Sequence, residues 1–222
     1  MTKYALALVS VLLIAQAACL PVTAALETVT SPSIVRTGWN LIALPATPTN
    51  PDPVAVLDEY APLDTRVYRY DASIQGVIMY DEWNPDQFGN LLLTDGYWLV
   101  VPNPSPVQFS FEGITDNDDT DMWISLPTAG WTLIGHPYSY SVDWTNVEVT
   151  DGTKTISLAD AAGTENPSWL QSIGYWWNSE VQGLKYLGLP DDWPDSDALT
   201  AWHGYWIESN KDNLALILPA SP

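Results

Sequence analysis

Cysteine is all but missing from this chain. Cys19 stands alone among 222 residues, so no intramolecular disulfide can form and a disulfide-stapled fold is excluded. Basic residues are scarce too: seven Lys and Arg face 27 Asp and Glu, a formal net charge of −20 at pH 7. That field repels phosphate backbones and anionic membrane surfaces, which argues against nucleic acid as a partner. Histidine occurs only as His136 and His203, and no Gly-X-Ser-X-Gly elbow is present. Nucleophilic catalysis near neutral pH therefore has little to work with. After the N-terminal segment, no stretch approaches the roughly 20 apolar residues of a transmembrane helix.

Aromatic residues, by contrast, are plentiful. Twelve Trp and eleven Tyr accompany three Phe, and 46% of the chain is hydrophobic, enough apolar area to offset the entropy of ordering a backbone. The N-terminus carries an address: Lys3, a short apolar run from Ala5 to Ala15, then small residues, the pattern of a secretory signal peptide over residues 1–24. Cleavage after Ala24 would start the mature chain at Ala25, with cleavage after Ala17 as the alternative. Ala17-Ala18-Cys19 also has the outline of a lipoprotein signal, with Gln16 where Leu is usual. Membrane attachment is expected only if Cys19 is lipidated.

The chain resembles itself. Gly38-Trp39-Asn40-Leu41-Ile42-Ala43-Leu44-Pro45 returns as Gly130-Trp131-Thr132-Leu133-Ile134-Gly135-His136-Pro137, an offset of 92 that also sets Ile34 against Leu126. Tyr68 to Val77 matches Tyr175 to Leu184 at 107, and Gly96-Tyr97-Trp98-Leu99 matches Gly204-Tyr205-Trp206-Ile207 at 108. Ordered anchors with nearly constant spacing point to a duplicated unit. Arg66-Val67-Tyr68-Arg69-Tyr70 alternates as a half-buried strand does, and Tyr97 to Val101 reads as a strand covered on both faces. Gly and Pro punctuate the chain at short intervals, as brief strands and tight turns require. The expected fold is mainly β: two tandem β-rich repeats, small sandwich or barrel-like, each with at most one short helix. Asp52 and Pro53 mark a helix start in the first copy, with Ser157 to Ala162 as its counterpart. The copies divide as 25–114 and 122–222, with the clear homology of the first beginning near Ser31. The acidic stretch 115–121 joins them.

The run Trp123-Ile124-Ser125-Leu126-Pro127, then Gly130 to Pro137, then Trp202-His203-Gly204-Tyr205-Trp206 resembles the Trp-rich repeats of large secreted and cell-surface bacterial and archaeal proteins. In those, a Gly-Trp-X-Leu-Ile-X-X-Pro strand precedes a Gly-Tyr-Trp strand. The resemblance spans nearly the whole mature chain and implies an extracellular accessory module without catalytic residues.

Candidate sites follow from residue type and surroundings. Aromatic faces stack on sugar rings, and binding residues concentrate in loops. Trp39, Trp98, Trp131 and Trp206 recur at matched positions and are expected in the interior. Trp83, Trp176, Trp177, Trp193 and Trp202 lie beside polar residues or in expected loops, and are the ligand-binding candidates. Asp116, Asp118, Asp119 and Asp121 gather hard oxygen ligands that suit calcium, and Asp191 to Asp197 does so again. Neither fits an EF-hand, a charged linker is the simpler account, and no other cofactor is expected. Glu82, Glu180 and Asp191 lie near aromatics, but nothing pairs them as a glycosidase needs. His136 and His203 face Leu44 and Asp95 in the sister copy, which favours structural roles. The reading is a secreted, non-catalytic binding module recognising polysaccharide or a surface protein. A structural, self-assembling envelope component is the alternative, and a glycoside hydrolase ranks below both.

Overall fold

Runs of four to six apolar and β-branched residues between Gly, Pro and Asp become strands in the computed structural model, which describes residues 26–32, 36–57, 66–102, 108–115, 119–163, 167–189 and 197–220. The expected signal peptide, Cys19, Ile34, Asp116, Asp118, Asp191 and Trp193 lie outside these residues. The first half carries β1 (Leu26–Thr30), β2 (Gly38–Ile42), β3 (Thr47–Pro48), β4 (Val67–Asp71), β5 (Gly76–Met79), β6 (Tyr97–Val101) and β7 (Ser110–Ile114). The second carries β8 (Met122–Leu126), β9 (Gly130–Gly135), β10 (Val142–Asp143), β11 (Glu148–Thr150), β12 (Thr155–Ser157), β13 (Gly174–Asn178), β14 (Gly183–Leu187), β15 (Ala198–Leu199), β16 (Gly204–Ser209) and β17 (Leu214–Leu218). The fold is mainly β, with small antiparallel sheets set in a propeller-like ring.

Among the described residues the first half forms sheets ordered β1-β7-β3 and β2-β6-β4-β5. The second forms β12-β11-β17-β8 and β14-β13-β16-β9, plus the two-stranded β10-β15. Strand β1 begins at Leu26 and pairs with β7 along its whole length, as β8 pairs with β17, so the first half starts before Ser31. The strand partner of β7 was missed because Leu-Glu-Thr-Val-Thr shares no aromatic with Met-Trp-Ile-Ser-Leu.

Among the described residues, three short α-helices interrupt the strands: α1 (Pro53–Leu57), α2 (Pro85–Phe88) and α3 (Leu158–Gly163). Asp52 caps α1, its Oδ1 accepting from the amides of Val54 at 2.8 Å and Ala55 at 3.4 Å. Ser157 caps α3, its Oγ accepting from the amide of Asp160 at 3.1 Å and donating to that carboxylate at 2.9 Å. These satisfy amides that a helix start leaves without partners. The first half exceeds the expected single helix, because Pro85 fixes a helical φ at the start of α2 and adds a turn there.

Each half closes its own core. Leu44, Leu57, Val67, Phe88, Leu99 and Phe109 are buried together in the first. Leu126, Tyr138, Trp144, Leu170, Leu187 and Leu216 are buried together in the second. From the second half, Trp202 enters the first core, its ring 5.4 Å from that of Phe109 and 6.2 Å from that of Phe111, and Ala201 packs against it.

The halves are also clamped by two glutamines. Gln75 accepts from the Trp131 amide through Oε1 at 2.8 Å, and its Nε2 donates to the Trp131 carbonyl at 3.0 Å. Gln182 does the same to Trp39, at 2.8 Å and 3.1 Å. Both glutamines sit in left-handed turns, with φ of 47° and 51°. Facing them, Gly38 and Gly130 have φ of 95° and 115°, and a Cβ on either would come within 2.4 Å of the glutamine oxygen. Only glycine fits there. Isolated bridges Ile42↔His203 and Asp95↔Ile134 complete the junction.

Candidate ligand-binding cleft

Strand alternation sorts the side chains of the β14-β13-β16-β9 sheet onto two faces. Ile134, Tyr205 and Ile207 turn to the core. On the other face the register sets Trp131 opposite Glu208, Leu133 opposite Trp206, and Tyr175 beside both Trp206 and Tyr186. Tyr70, on β4 of the first half, closes the side of this aromatic face. The resulting cleft of about 410 Å³ is lined by Tyr70, Trp131, Tyr175, Leu184 and Trp206.

The rings form corners rather than a flat platform. Tyr70 meets Trp206 at 4.7 Å and 76°, Trp131 meets Trp206 at 6.3 Å and 86°, and Trp131 meets Tyr175 at 5.7 Å and 64°. Gln75 holds two of the walls: its Oε1 accepts both the Trp131 amide and the Tyr70 hydroxyl, the latter at 3.1 Å. Partial burial raises the Tyr70 pKa above the usual phenol value, so this wall stays neutral throughout the physiological range.

A second aromatic group lies on the first half. Trp39 contacts Tyr68 at 5.5 Å and Trp98 at 5.7 Å, while Trp177 of the second half meets Trp98 at 5.4 Å. The Trp177 indole donates to the Trp39 carbonyl at 2.8 Å. Trp39 is 43% exposed.

The candidate residues scatter. Trp177 belongs to the second aromatic group. Trp176 lies on the opposite strand face, packed against the second core and edge-on to His203 at 5.6 Å. Trp83 is 87% exposed in the turn before α2. Trp202, at 7% exposure, fills the first core and offers no face to a ligand, which removes it as a binding candidate. Trp193 is outside the described residues. The expectation that matched Trp residues are interior is likewise corrected: Trp39 is exposed, and Trp131 and Trp206 line the cleft. The apolar runs Trp-Thr-Leu-Ile and Tyr-Trp-Ile hid which strand face was which, because both faces are apolar. The partner residue that would have revealed it, Glu208, lies opposite Trp131 on the neighbouring strand.

The acidic candidates are dispersed. Asp119 and Asp121 are exposed, and Asp121 accepts from the Ala220 amide at 2.9 Å. Among the described residues no three His, Cys, Asp or Glu side chains are grouped to hold a metal. Glu82 is exposed, and Glu180 pairs with Arg36 at 3.1 Å. His136 is wholly buried, its Nε2 2.5 Å from the Tyr140 carbonyl oxygen. His203 lies against the Ala201 carbonyl at 3.0 Å, and burial lowers its pKa. Where His203 stands beside Trp176, the matched first-half positions hold Asp95 and Arg69, 4.0 Å apart. Burial raises the Asp95 pKa, with Arg69 opposing it. No protein-family profile, curated protein or solved structure matches this chain.

Proposed function

We propose that this chain is a secreted, non-catalytic binding module of the cell surface or extracellular matrix. It recognises a group displayed on a polysaccharide or surface protein, and the aromatic cleft of Tyr70, Trp131, Tyr175, Leu184 and Trp206 is its binding site. The observation carrying this reading is the concave face itself. Partly exposed aromatic rings held at fixed angles by backbone-anchored Gln75 form a preorganised site that loses little entropy on binding.

The module is two copies of one β-rich unit joined by a local dyad. Exchanging β2, β6, β4 and β5 for β9, β16, β13 and β14 turns one four-stranded order into the other. The same exchange turns the Gln75 clamp into the Gln182 clamp, and the bridge Ile42↔His203 into Ile134↔Asp95. An isologous contact has this reciprocity. The test is adsorption to purified extracellular polysaccharides and to immobilised surface proteins. Trp131→Ala and Trp206→Ala, with unchanged far-UV circular dichroism, should lose adsorption at least tenfold. Equal adsorption of both variants and the parent would overturn the assignment.

A further inference from the structure

We propose that the group taken by this cleft is a trimethylammonium, of the kind choline carries, without an adjoining phosphate. The inference rests on the reading of the cleft as a binding site and names its ligand.

Ring geometry is the first argument. Aromatic faces are negative and attract a cation held within about 6 Å of the ring centroid. One cation can meet several rings at that range only if their centroids are close and their planes turned toward one another. The contacts among Tyr70, Trp206, Trp131 and Tyr175 run from 4.7 to 6.3 Å at 64° to 86°, the corners of a box. A sugar ring stacks better on an open plane.

Polar inventory is the second. A sugar presents several hydroxyls that lose water on binding and need replacements. The accessible surface of the lining is almost wholly apolar, and its Tyr70 hydroxyl is already engaged by Gln75. A trimethylammonium asks for no hydrogen bond, only for apolar contact and negative potential.

Charge is the third. None of the lining residues is cationic. The nearest basic residues along the contributing strands, Arg69 and Lys185, alternate with Tyr70 and Leu184 and so fall on the opposite strand faces. Glu208 stands opposite Trp131 in the register, on the cleft side. The matched pair in the first half is Trp39 and Val100, so this carboxylate, a neighbour of the cleft on its strand face, has no counterpart there. A net charge of −20 adds attraction for a cation and repels a phosphate beside it.

The test titrates the full chain by tryptophan fluorescence with choline and with its uncharged carbon analogue, 3,3-dimethylbutan-1-ol. Choline should bind about 30-fold tighter than the analogue, the ratio a desolvated cation–π contact gives. Glu208→Gln should weaken choline about threefold and leave the analogue unchanged. Trp206→Leu should abolish both. If that variant fails to fold, the choline-to-analogue ratio and Glu208→Gln remain decisive. Equal binding of choline and analogue overturns the proposal, leaving an apolar cleft. Binding of a neutral oligosaccharide, competed by no choline, overturns it while the binding-module reading stands. Choline-competed sedimentation with phosphatidylcholine vesicles overturns the phosphate-free assignment. No response to choline, analogue or oligosaccharide, together with unaltered adsorption of the Trp206 variant, overturns both readings.

Discussion

Replacing Trp202 with Ala should injure the half of the molecule to which Trp202 does not belong. The side chain is 7% exposed and packs edge-to-face on Phe109 and Phe111. Truncating a buried Trp typically loses about 3–5 kcal/mol, from lost transfer energy and the cavity left behind. Its left-handed φ of 70° gives no relief, because Ala is strained there much as Trp is. With a urea dependence of about 2–3 kcal/mol per M, the unfolding midpoint should fall by about 1–2.5 M. Far-UV circular dichroism is the suitable signal, since removing a Trp changes fluorescence directly. Hydrogen exchange should locate the damage. The Phe109 amide, which donates to Ser31 Oγ at 2.9 Å, should exchange faster while amides of β17 change less. A midpoint shift below about 0.5 M, or loosening confined to the second half, would refute the crossing of Trp202 into the first core.

Other consequences follow from paired features. The Tyr97 and Tyr205 hydroxyls accept from the amides of Leu92 at 2.6 Å and Thr200 at 2.7 Å, and burial pushes the Tyr205 pKa up to about 12. Tyr97→Phe and Tyr205→Phe should each lose about 1–3 kcal/mol in denaturant titration, by orphaning a part-buried amide. Gln75→Ala and Gln182→Ala should each lose about 1 kcal/mol, and only Gln75→Ala should also loosen the ligand cleft, read as weaker adsorption. Burial lowers the His203 pKa, so the unfolded chain takes up that proton first, at about pH 6.5. Stability should therefore fall as pH drops below that value, and His203→Gln should flatten the decline measured between pH 7 and 5.5.

Local grammar was readable in the sequence where one residue type has one job. Asp52 and Ser157 announced their helices because a short side-chain oxygen before Pro or Leu caps amides and little else. Strands β4 and β6 were legible from alternation and from bounding Gly and Pro. Orientation was not. In Gly-Trp-Thr-Leu-Ile both strand faces are apolar, so the sequence could not say that Trp131 looks outward while Ile134 is buried. Recurrence of Trp39 and Trp131 suggested shared interior packing, whereas what the matched positions share is a place on an aromatic face at the junction. Trp202 misled in the opposite sense. Its polar neighbour His203 and following Gly204 mark a turn, and that turn is inserted into the partner half. Gln75 and Gln182 gave no sequence signal beyond their match, since their work depends on backbone groups 56 and 143 positions away.

The account turns on which indoles meet the ligand. With twelve Trp, the indole N–H region of a ¹⁵N correlation spectrum reads each one, and choline should shift the signals of Trp131 and Trp206 while leaving buried Trp144 and Trp202 in place. Shifts confined to exposed Trp83 and Trp123, or spread evenly over all twelve, would contradict it.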